Sequence, residues 1–477
     1  MSDLEPRLLW EHFLELTRIP RPSKGEGPAR EHVLGWADQR SFEAETDAEG
    51  NVVVRVPATT GRGAAPVVVL QAHLDMVCER DPGSRFDPRE GRIDVRIEAD
   101  WVRAEGTTLG ADNGIGVAAA LAVADDPGVE HGPLELLFTV SEEQGLDGAK
   151  ALDPALVSGR LLVNLDGTSD GALTIGCAGS DHTYLRVALD PEPLPSGHVA
   201  LRIVLAGARG GHSGGDIATG RVNALKALGR VLAAAPAHRL ASLDGGVSRN
   251  AIPREATAVA AVPRDAESAF RAACEAELAT IARQFASTDG DLELTFERVE
   301  ETAAASEATT RRVLDLVSAL PTGVVAMSPE LTGVVETSTS LTTAATGDGI
   351  LTLGSMARSS NAAALDGMLA TMHALARLAG AEIEVRRSYP PWEPDLGSGL
   401  LETARATYRR LFDAEPVLTV VHGGLECAVL GQRLPGVELI SIGPEIVGPH
   451  APGEKVRISS TQRFYGLLGE LLDDLSR

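Results

Sequence analysis

Cysteine is scarce in this chain, with four residues (Cys78, Cys177, Cys274 and Cys427) among 477, widely spaced and without a CxxC pair. That pattern excludes a disulfide framework and a cysteine zinc knuckle, and it suits a reducing cytoplasm. Long apolar runs are also missing. Stretches such as residues 66–70 fall far short of the roughly 20 residues needed to cross a bilayer. The first 20 residues lack the basic start and apolar centre of a secretory signal and read instead as an amphipathic helix over 1–20, with Leu8, Leu9, Phe13 and Leu16 at helical spacing. Positive charge is the third deficit: 43 basic side chains face 67 acidic ones, a formal balance of −24. Such a field repels polyphosphate and anionic lipid, so neither nucleic acid nor a membrane surface is expected as a partner.

What is present organises into an α/β chain too long for one core, and two domains are expected. A hairpin is predicted over 43–56 around Glu49-Gly50-Asn51, followed by a buried strand at 67–70 with His73 just past its end. A glycine-rich turn over 109–116 leads into an alanine-rich helix at 117–124. Apolar strands at 134–140 and 161–165 are each followed by acidic residues, Glu142-Glu143 and Asp166. Three strand ends thus deliver ionisable side chains, which is where open α/β sheets build their sites. Beyond about residue 180 the pattern changes to strands at 183–189 and 199–205, a helix at 221–234 and a weakly patterned stretch to 389. Pro390-Pro391-Trp392-Glu393-Pro394 then breaks the chain before a helix at 400–412, strands at 417–421 and 438–442 and a closing helix at 460–475. This predicts a first domain of 1–180 with 395–477 and an inserted α+β domain of 181–394. No internal repeat is visible.

A hydrolytic site built on two divalent ions needs neutral imidazoles, several carboxylates, one of them shared, and a free carboxylate to take a proton from water. His73-Leu74-Asp75 places two side chains on one face of an extended segment, where Asp75 can orient the His73 ring. Asp112 follows Gly110-Ala111 on a turn before a helix, a position that taken alone suits a helix cap better than a metal ligand. The adjacent carboxylates Glu142 and Glu143 at the end of an apolar strand repel each other and lose hydration, a cost that nearby cations would offset. Asp166 and His450, the latter between Pro449 and Pro452, are each compatible with a structural role when taken singly.

Taken together, Gln71-Ala72-His73-Leu74-Asp75-Met76-Val77, Gly110-Ala111-Asp112-Asn113-Gly114, Ser141-Glu142-Glu143-Gln144-Gly145, Asn164-Leu165-Asp166 and Gly448-Pro449-His450 resemble, in order, the metal-site motifs of the M20 metallopeptidases. Asp112-Asn113-Gly114-Ile115-Gly116 and His422-Gly423-Gly424-Leu425-Glu426-Cys427 resemble the aminoacyl-histidine dipeptidase branch. The resemblance implies a Zn-peptidase-like catalytic domain, with a central mixed sheet flanked by helices, and an inserted α+β lid. It implies two divalent ions, zinc with cobalt or manganese as alternatives. His73 and Asp166 would hold one ion, Glu143 and His450 the other, and Asp112 would bridge, with a cis peptide after it. Glu142 would be the general base for metal-activated water, Asp75 would support His73, and His212, in Gly210-Gly211-His212-Ser213-Gly214-Gly215-Asp216, would stabilise the oxyanion. Asn250 and Arg358 would hold the substrate carboxylate, for which a planar guanidinium is suited. Glu426 would meet a free amine or serve as a strand terminus.

The expected activity is hydrolysis of dipeptides, Xaa-His dipeptides in particular, by a cytoplasmic homodimer whose lid closes over small peptides. An N-acyl amino acid deacylase or metallocarboxypeptidase remains the alternative, and a non-catalytic scaffold of the same fold is a third reading.

Overall fold

The computed structural model describes residues 4–477, so Met1–Asp3 of the helix expected over 1–20 lie outside the described residues. The chain divides into two compact units. Unit 1 comprises Met1–Cys177, Trp392–Val421 and Leu425–Arg477, and unit 2 comprises Ala178–Pro391 with His422–Gly424.

Unit 1 is built on an eight-stranded mixed sheet in the order Glu43–Thr46, Val52–Val56, Leu134–Thr139, Val68–His73, Leu161–Asn164, Glu438–Ser441, Ala172–Cys177 and Val417–Val421. Val68–His73 sits between Leu134–Thr139 and Leu161–Asn164 and runs parallel to both. Parallel strands buried on both faces read as near-continuous apolar runs, and Val68–His73 and Leu134–Thr139 are buried at every position. The strand reaches His73 itself, three residues past the expected end, because Gln71 and His73 find polar partners inside the sheet. The carboxyl ends of these three strands therefore open on one side and present His73, Glu142-Glu143 and Asp166 together.

Helix Ala111–Asp125 packs against Val68–His73 and against Arg7–Leu16, whose Leu9, Trp10, Phe13 and Leu16 form its buried face. It starts six residues earlier than periodicity predicts and departs from helical dihedrals at Asp112 and Asn113, where the peptide is cis. Glycine and alanine let this nearly all-buried helix approach the sheet. Gly110 adopts φ 71°, and a Cβ there would lie 2.5 Å from the buried Arg21 guanidinium. A smaller sheet of Ile446–Val447, Lys455–Arg457, Trp101–Ala104 and Val95–Glu98 holds the loop that carries His450. No helix among the described residues is long and apolar enough to cross a membrane.

Unit 2 contains a topological repeat that the sequence does not show. Strand His198–Ala206, helix Ala224–Ala234, strands Arg239–Gly245 and Ala256–Pro263, helix Glu267–Gln284 and strand Glu293–Val299 form one β-α-β-β-α-β module. Strand Gly179–Ala188, helix Glu307–Ala319, strands Val335–Gly347 and Ile350–Ser359, helix Ala362–Ala379 and strand Glu382–Tyr389 form another, with the first inserted after its opening strand. The second strands of the two modules, Arg239–Gly245 and Val335–Gly347, pair antiparallel, so the joined sheet has the same strand order read from either end. The region expected to be weakly patterned is thus built mainly of regular strands and helices. Its long strand, Val-Glu-Thr-Ser-Thr-Ser-Leu-Thr-Thr-Ala-Ala-Thr-Gly, buries hydroxyls in place of hydrocarbon and so gives no apolar alternation.

Asn223 ties this unit together, since its Oδ1 accepts from Lys226 N at 3.2 Å and its Nδ2 donates to Leu341 O at 2.7 Å. Replacing Asn223 with Ala removes a helix cap and leaves a buried strand carbonyl without its donor, at a cost of about 2 kcal/mol. Thermal unfolding followed by calorimetry should show a lowered midpoint for the transition assigned to unit 2.

Candidate metal centre

The expected ligands of unit 1 come together around Asp112. Its Oδ1 lies 3.1 Å from His73 Nε2, and its Oδ2 lies 3.3 Å from His450 Nε2. Asp166 Oδ1 is 3.5 Å from the same His73 nitrogen, and Glu143 Oε1 is 2.9 Å from the same His450 nitrogen. One carboxylate therefore turns each of its oxygens toward a separate imidazole–carboxylate pair. Ligand atoms of His73, Asp112 and Glu143 all fall within 4.8 Å of one another.

The donor set fits a pair of divalent ions. Glu143 Oε1 is buried and accepts no hydrogen bond of normal geometry despite the close His450 nitrogen, so the two atoms are not aligned as donor and acceptor. That is the arrangement of two ligands converging on one cation. Imidazole nitrogen with carboxylate oxygen is the donor chemistry of zinc and its first-row neighbours. The Glu142 carboxylate, by contrast, takes part in no hydrogen bond or ion pair among the described residues.

Backbone and buried side chains hold this cluster. Asp75 is fully buried, with Oδ1 3.3 Å from His73 Nδ1 and also accepting from Glu142 N at 3.0 Å. Its Oδ2 accepts from Ser23 Oγ at 2.7 Å and Glu143 N at 3.2 Å, so one carboxylate fixes the imidazole and the adjacent glutamates together. Asp112 does not cap its helix. The carboxylate of Glu454 does, accepting from the backbone N–H groups of Leu109, Gly110, Ala111 and Asp112 at 2.7–3.2 Å. Arg21 joins the two ligand segments by donating to the carbonyls of Leu74 and Asp75 and of Gly110. Asn113 Nδ2 donates to Asp166 Oδ1 at 2.7 Å. Glu454 and Arg21 escape sequence reading because an acid two residues after a proline and an arginine between prolines carry no periodic signal.

Without cations the cluster neutralises itself with protons. Asp112 and Glu143 push the His450 imidazolium up to about 11. Burial disfavours charge on His73, yet Asp166, Asp112 and Asp75 outweigh it and raise its affinity for a proton. Burial raises the Asp166 carboxyl to about 7, assisted by Asp112, and burial likewise lifts Glu142 well above the carboxylate range. Asp112 stays far below that range, since the facing His450 and His73 imidazoles override its burial.

Glu426 is not at a strand end. It opens helix Glu426–Arg433 in unit 1, buried, with Oε2 accepting from Gln71 Nε2 and Thr139 Oγ1, each at 2.6 Å. In unit 2, His212 Nδ1 accepts from the backbone N–H groups of Gly214 (3.2 Å) and Gly215 (3.0 Å), which fixes the neutral tautomer with its proton on Nε2. Burial and the charge of Arg358 lower its affinity for a second proton. Asn250 is exposed on a turn whose carbonyl accepts from Ser213 N, next to His212. Arg358 is buried and forms no ion pair among the described residues.

Two outcomes follow for the metal-free protein. Cations entering the cluster displace protons from His73 and His450, so affinity should rise with pH from about 6 to about 8, with proton release seen by calorimetry in buffers of different ionisation enthalpy. Replacing Glu454 with Gln turns an acceptor into a donor facing backbone N–H groups. Chelator competition should show metal affinity lowered about 10- to 100-fold, with the fold retained by circular dichroism.

Comparison with known proteins agrees with this geometry. The model of peptidase family M20/M25/M40 matches residues 69–474. The cytosol non-specific dipeptidase of Escherichia coli strain K12 is 39% identical over 479 residues, covering 100% of this chain and 99% of that protein. The crystal structure of aminoacylhistidine dipeptidase from Vibrio alginolyticus superposes with a TM-score of 0.89 at 36% identity, covering 99% of this chain and 97% of that one. The aminopeptidase PepT structure from Bacillus cereus shares the fold, with a TM-score of 0.58 at 16% identity over 99% of this chain and 100% of that one. A mixed α/β fold, a carboxylate shared between two imidazole–carboxylate pairs and a match across most of the sequence lead to one conclusion: the chain belongs to peptidase family M20/M25/M40.

Proposed function

We propose that this chain is a dinuclear metal-dependent dipeptidase that hydrolyses dipeptides, Xaa-His in particular. The observation that carries the reading is Asp112, whose two oxygens address His73 with Asp166 and His450 with Glu143. The two relatives above, over nearly their full lengths, are named as dipeptidases, which supports the substrate class. In this reading the ions are zinc, with cobalt or manganese as substitutes, and the active species is a cytosolic homodimer. The four buried free cysteines and the name of the Escherichia coli relative support the compartment.

His73 and Asp166 would hold one ion and Glu143 and His450 the other, with Asp112 shared. Bound there, two divalent ions supply Lewis acidity and lower the pKa of water. Glu142 takes the proton of the attacking water on its free carboxylate and returns it to the departing amine, as its uncommitted oxygens allow. Asp75 keeps His73 in the tautomer that leaves Nε2 free as a ligand and holds the Glu142 backbone in place. His212 donates its Nε2 proton to the developing oxyanion, a role suited to an imidazole held neutral with Nδ1 already occupied. Arg358, assisted by Asn250, binds the terminal carboxylate, and Glu426 is assigned to the free amine.

Replacing Glu142 with Gln should lower kcat by at least about 10³-fold while metal content by mass spectrometry stays at two ions per chain. Loss of metal in that variant would make Glu142 a ligand. Ala-His should be cleaved, whereas N-acetyl-Ala-His and tripeptides should not. Rapid cleavage of the acetylated peptide would convert the reading to a deacylase.

A further inference from the structure

The loop that carries His212 in unit 2 is closed by two charged side chains that take no part in the reaction above. Gly211–His212 pairs as a short strand with Ala251–Ile252, and the chain then turns back so that Asp216 N donates to His212 O at 3.0 Å. Asp216 stands directly before the short helix Ile217–Thr219, where an aspartate ordinarily accepts from the first helix amides. Here its carboxylate caps nothing. It points back along the chain instead, with Oδ2 accepting from His212 N at 2.8 Å and Oδ1 lying 2.8 Å from Arg221 Nη2.

Arg221 completes the closure. Its Nη1 donates to the carbonyl of Gly210, so one guanidinium holds the backbone just before His212 and, through Asp216, the backbone just after it. There is no room for a side chain between these groups. Gly211 has φ 149°, and a Cβ there would lie 2.7 Å from Asp216 Oδ2 and would also strike Arg221 Nη1. From the other side, Asn250 O accepts from Ser213 N at 2.8 Å. The two amides that fix the imidazole, those of Gly214 and Gly215, lie inside the loop so closed.

Charge does not account for the carboxylate. Burial and Arg358 disfavour protonation of His212, whereas Asp216 favours it. An anion at this place therefore works against the neutral imidazole, and what it contributes is the pair of bonds its oxygens accept. Both oxygens are in use, and an amide has only one acceptor oxygen to offer in their place.

We propose that Asp216 and Arg221 are positioning residues for His212: they close the loop over 210–216 so that the Gly214 and Gly215 amides stay on Nδ1 and the Nε2 proton keeps one direction. The proposal rests, for its effect on rate, on the reading of His212 as the donor to the oxyanion. A donor aimed before the reaction loses nothing to reorganisation, while a displacement of about 1 Å costs about 10²-fold in rate.

Asp216→Asn keeps the size of the side chain and removes one of its two acceptors. In the zinc-loaded enzyme it should lower kcat for Ala-His about 10- to 100-fold with KM unchanged within about twofold. Arg221→Lys keeps the charge but loses the fork, and its kcat should fall between those of the wild type and Arg221→Met. The deciding measurement is a double-mutant cycle. Asp216→Asn placed on His212→Ala should lower kcat no further than His212→Ala alone, since a positioning residue then has nothing left to position. Nitrogen-15 NMR of histidine-labelled protein, with the His212 signals assigned by their loss in His212→Ala, should show the Nε2–H tautomer in the wild type and a mixture of tautomers in Asp216→Asn and Arg221→Met. Additive losses in the cycle, or a His212 spectrum unchanged in both variants, would overturn the proposal. Changed spectra together with full activity of His212→Ala would uphold the positioning and remove the oxyanion role of His212 instead.

Discussion

Asp75 is the constraint on which the candidate metal centre of unit 1 depends. Four carboxyl groups, Asp112, Glu142, Glu143 and Asp166, are delivered to one small region, and among the described residues no arginine or lysine forms an ion pair with any of them. A region so acidic is unfavourable unless something fixes its geometry and something else supplies positive charge. Asp75 does the first. It accepts from Ser23 and from two successive backbone amides and lies against His73, so the strand end and the glutamate turn cannot move independently. Glu454 and Arg21 repeat the device on the other ligand segment by taking up the free amides and carbonyls around Asp112. The positive charge is then left to His73 and His450 as protons, or to two cations that displace them.

The two units solve opposite electrostatic problems. Unit 1 concentrates carboxylates and offers them to cations. Unit 2 buries Arg358 beside imidazoles that it helps to keep neutral and leaves several donors unpaired. A ligand with a carboxylate satisfies the second, and divalent ions satisfy the first.

The motifs around His73, Asp112, Glu142-Glu143, Asp166 and His450 were legible because each sits beside a local signal: an apolar strand ending, a glycine turn or a proline-bounded loop. The apolar strands and the amphipathic helices announced themselves for the same reason, since burial on one face or both imposes a period on the sequence. Element edges were less legible. Asp112 belongs to its helix because Glu454 satisfies the amides around it, and that partner is more than 300 residues away in sequence. The doubled module of unit 2 was invisible, since its second copy buries serine and threonine hydroxyls where a strand would ordinarily bury hydrocarbon.

The sequence alone determined which residue types were available at which strand ends, and hence the acidic, metal-suited chemistry of the first unit. Tertiary structure decided which oxygen of Asp112 faces which imidazole, that Glu142 stays uncommitted while Glu143 does not, and that Ser180, Ser338 and Arg358 share one buried face. The reason is physical: chemical identity is a local property of the chain, whereas the pairing of donors with acceptors depends on strand register and on segments hundreds of residues apart.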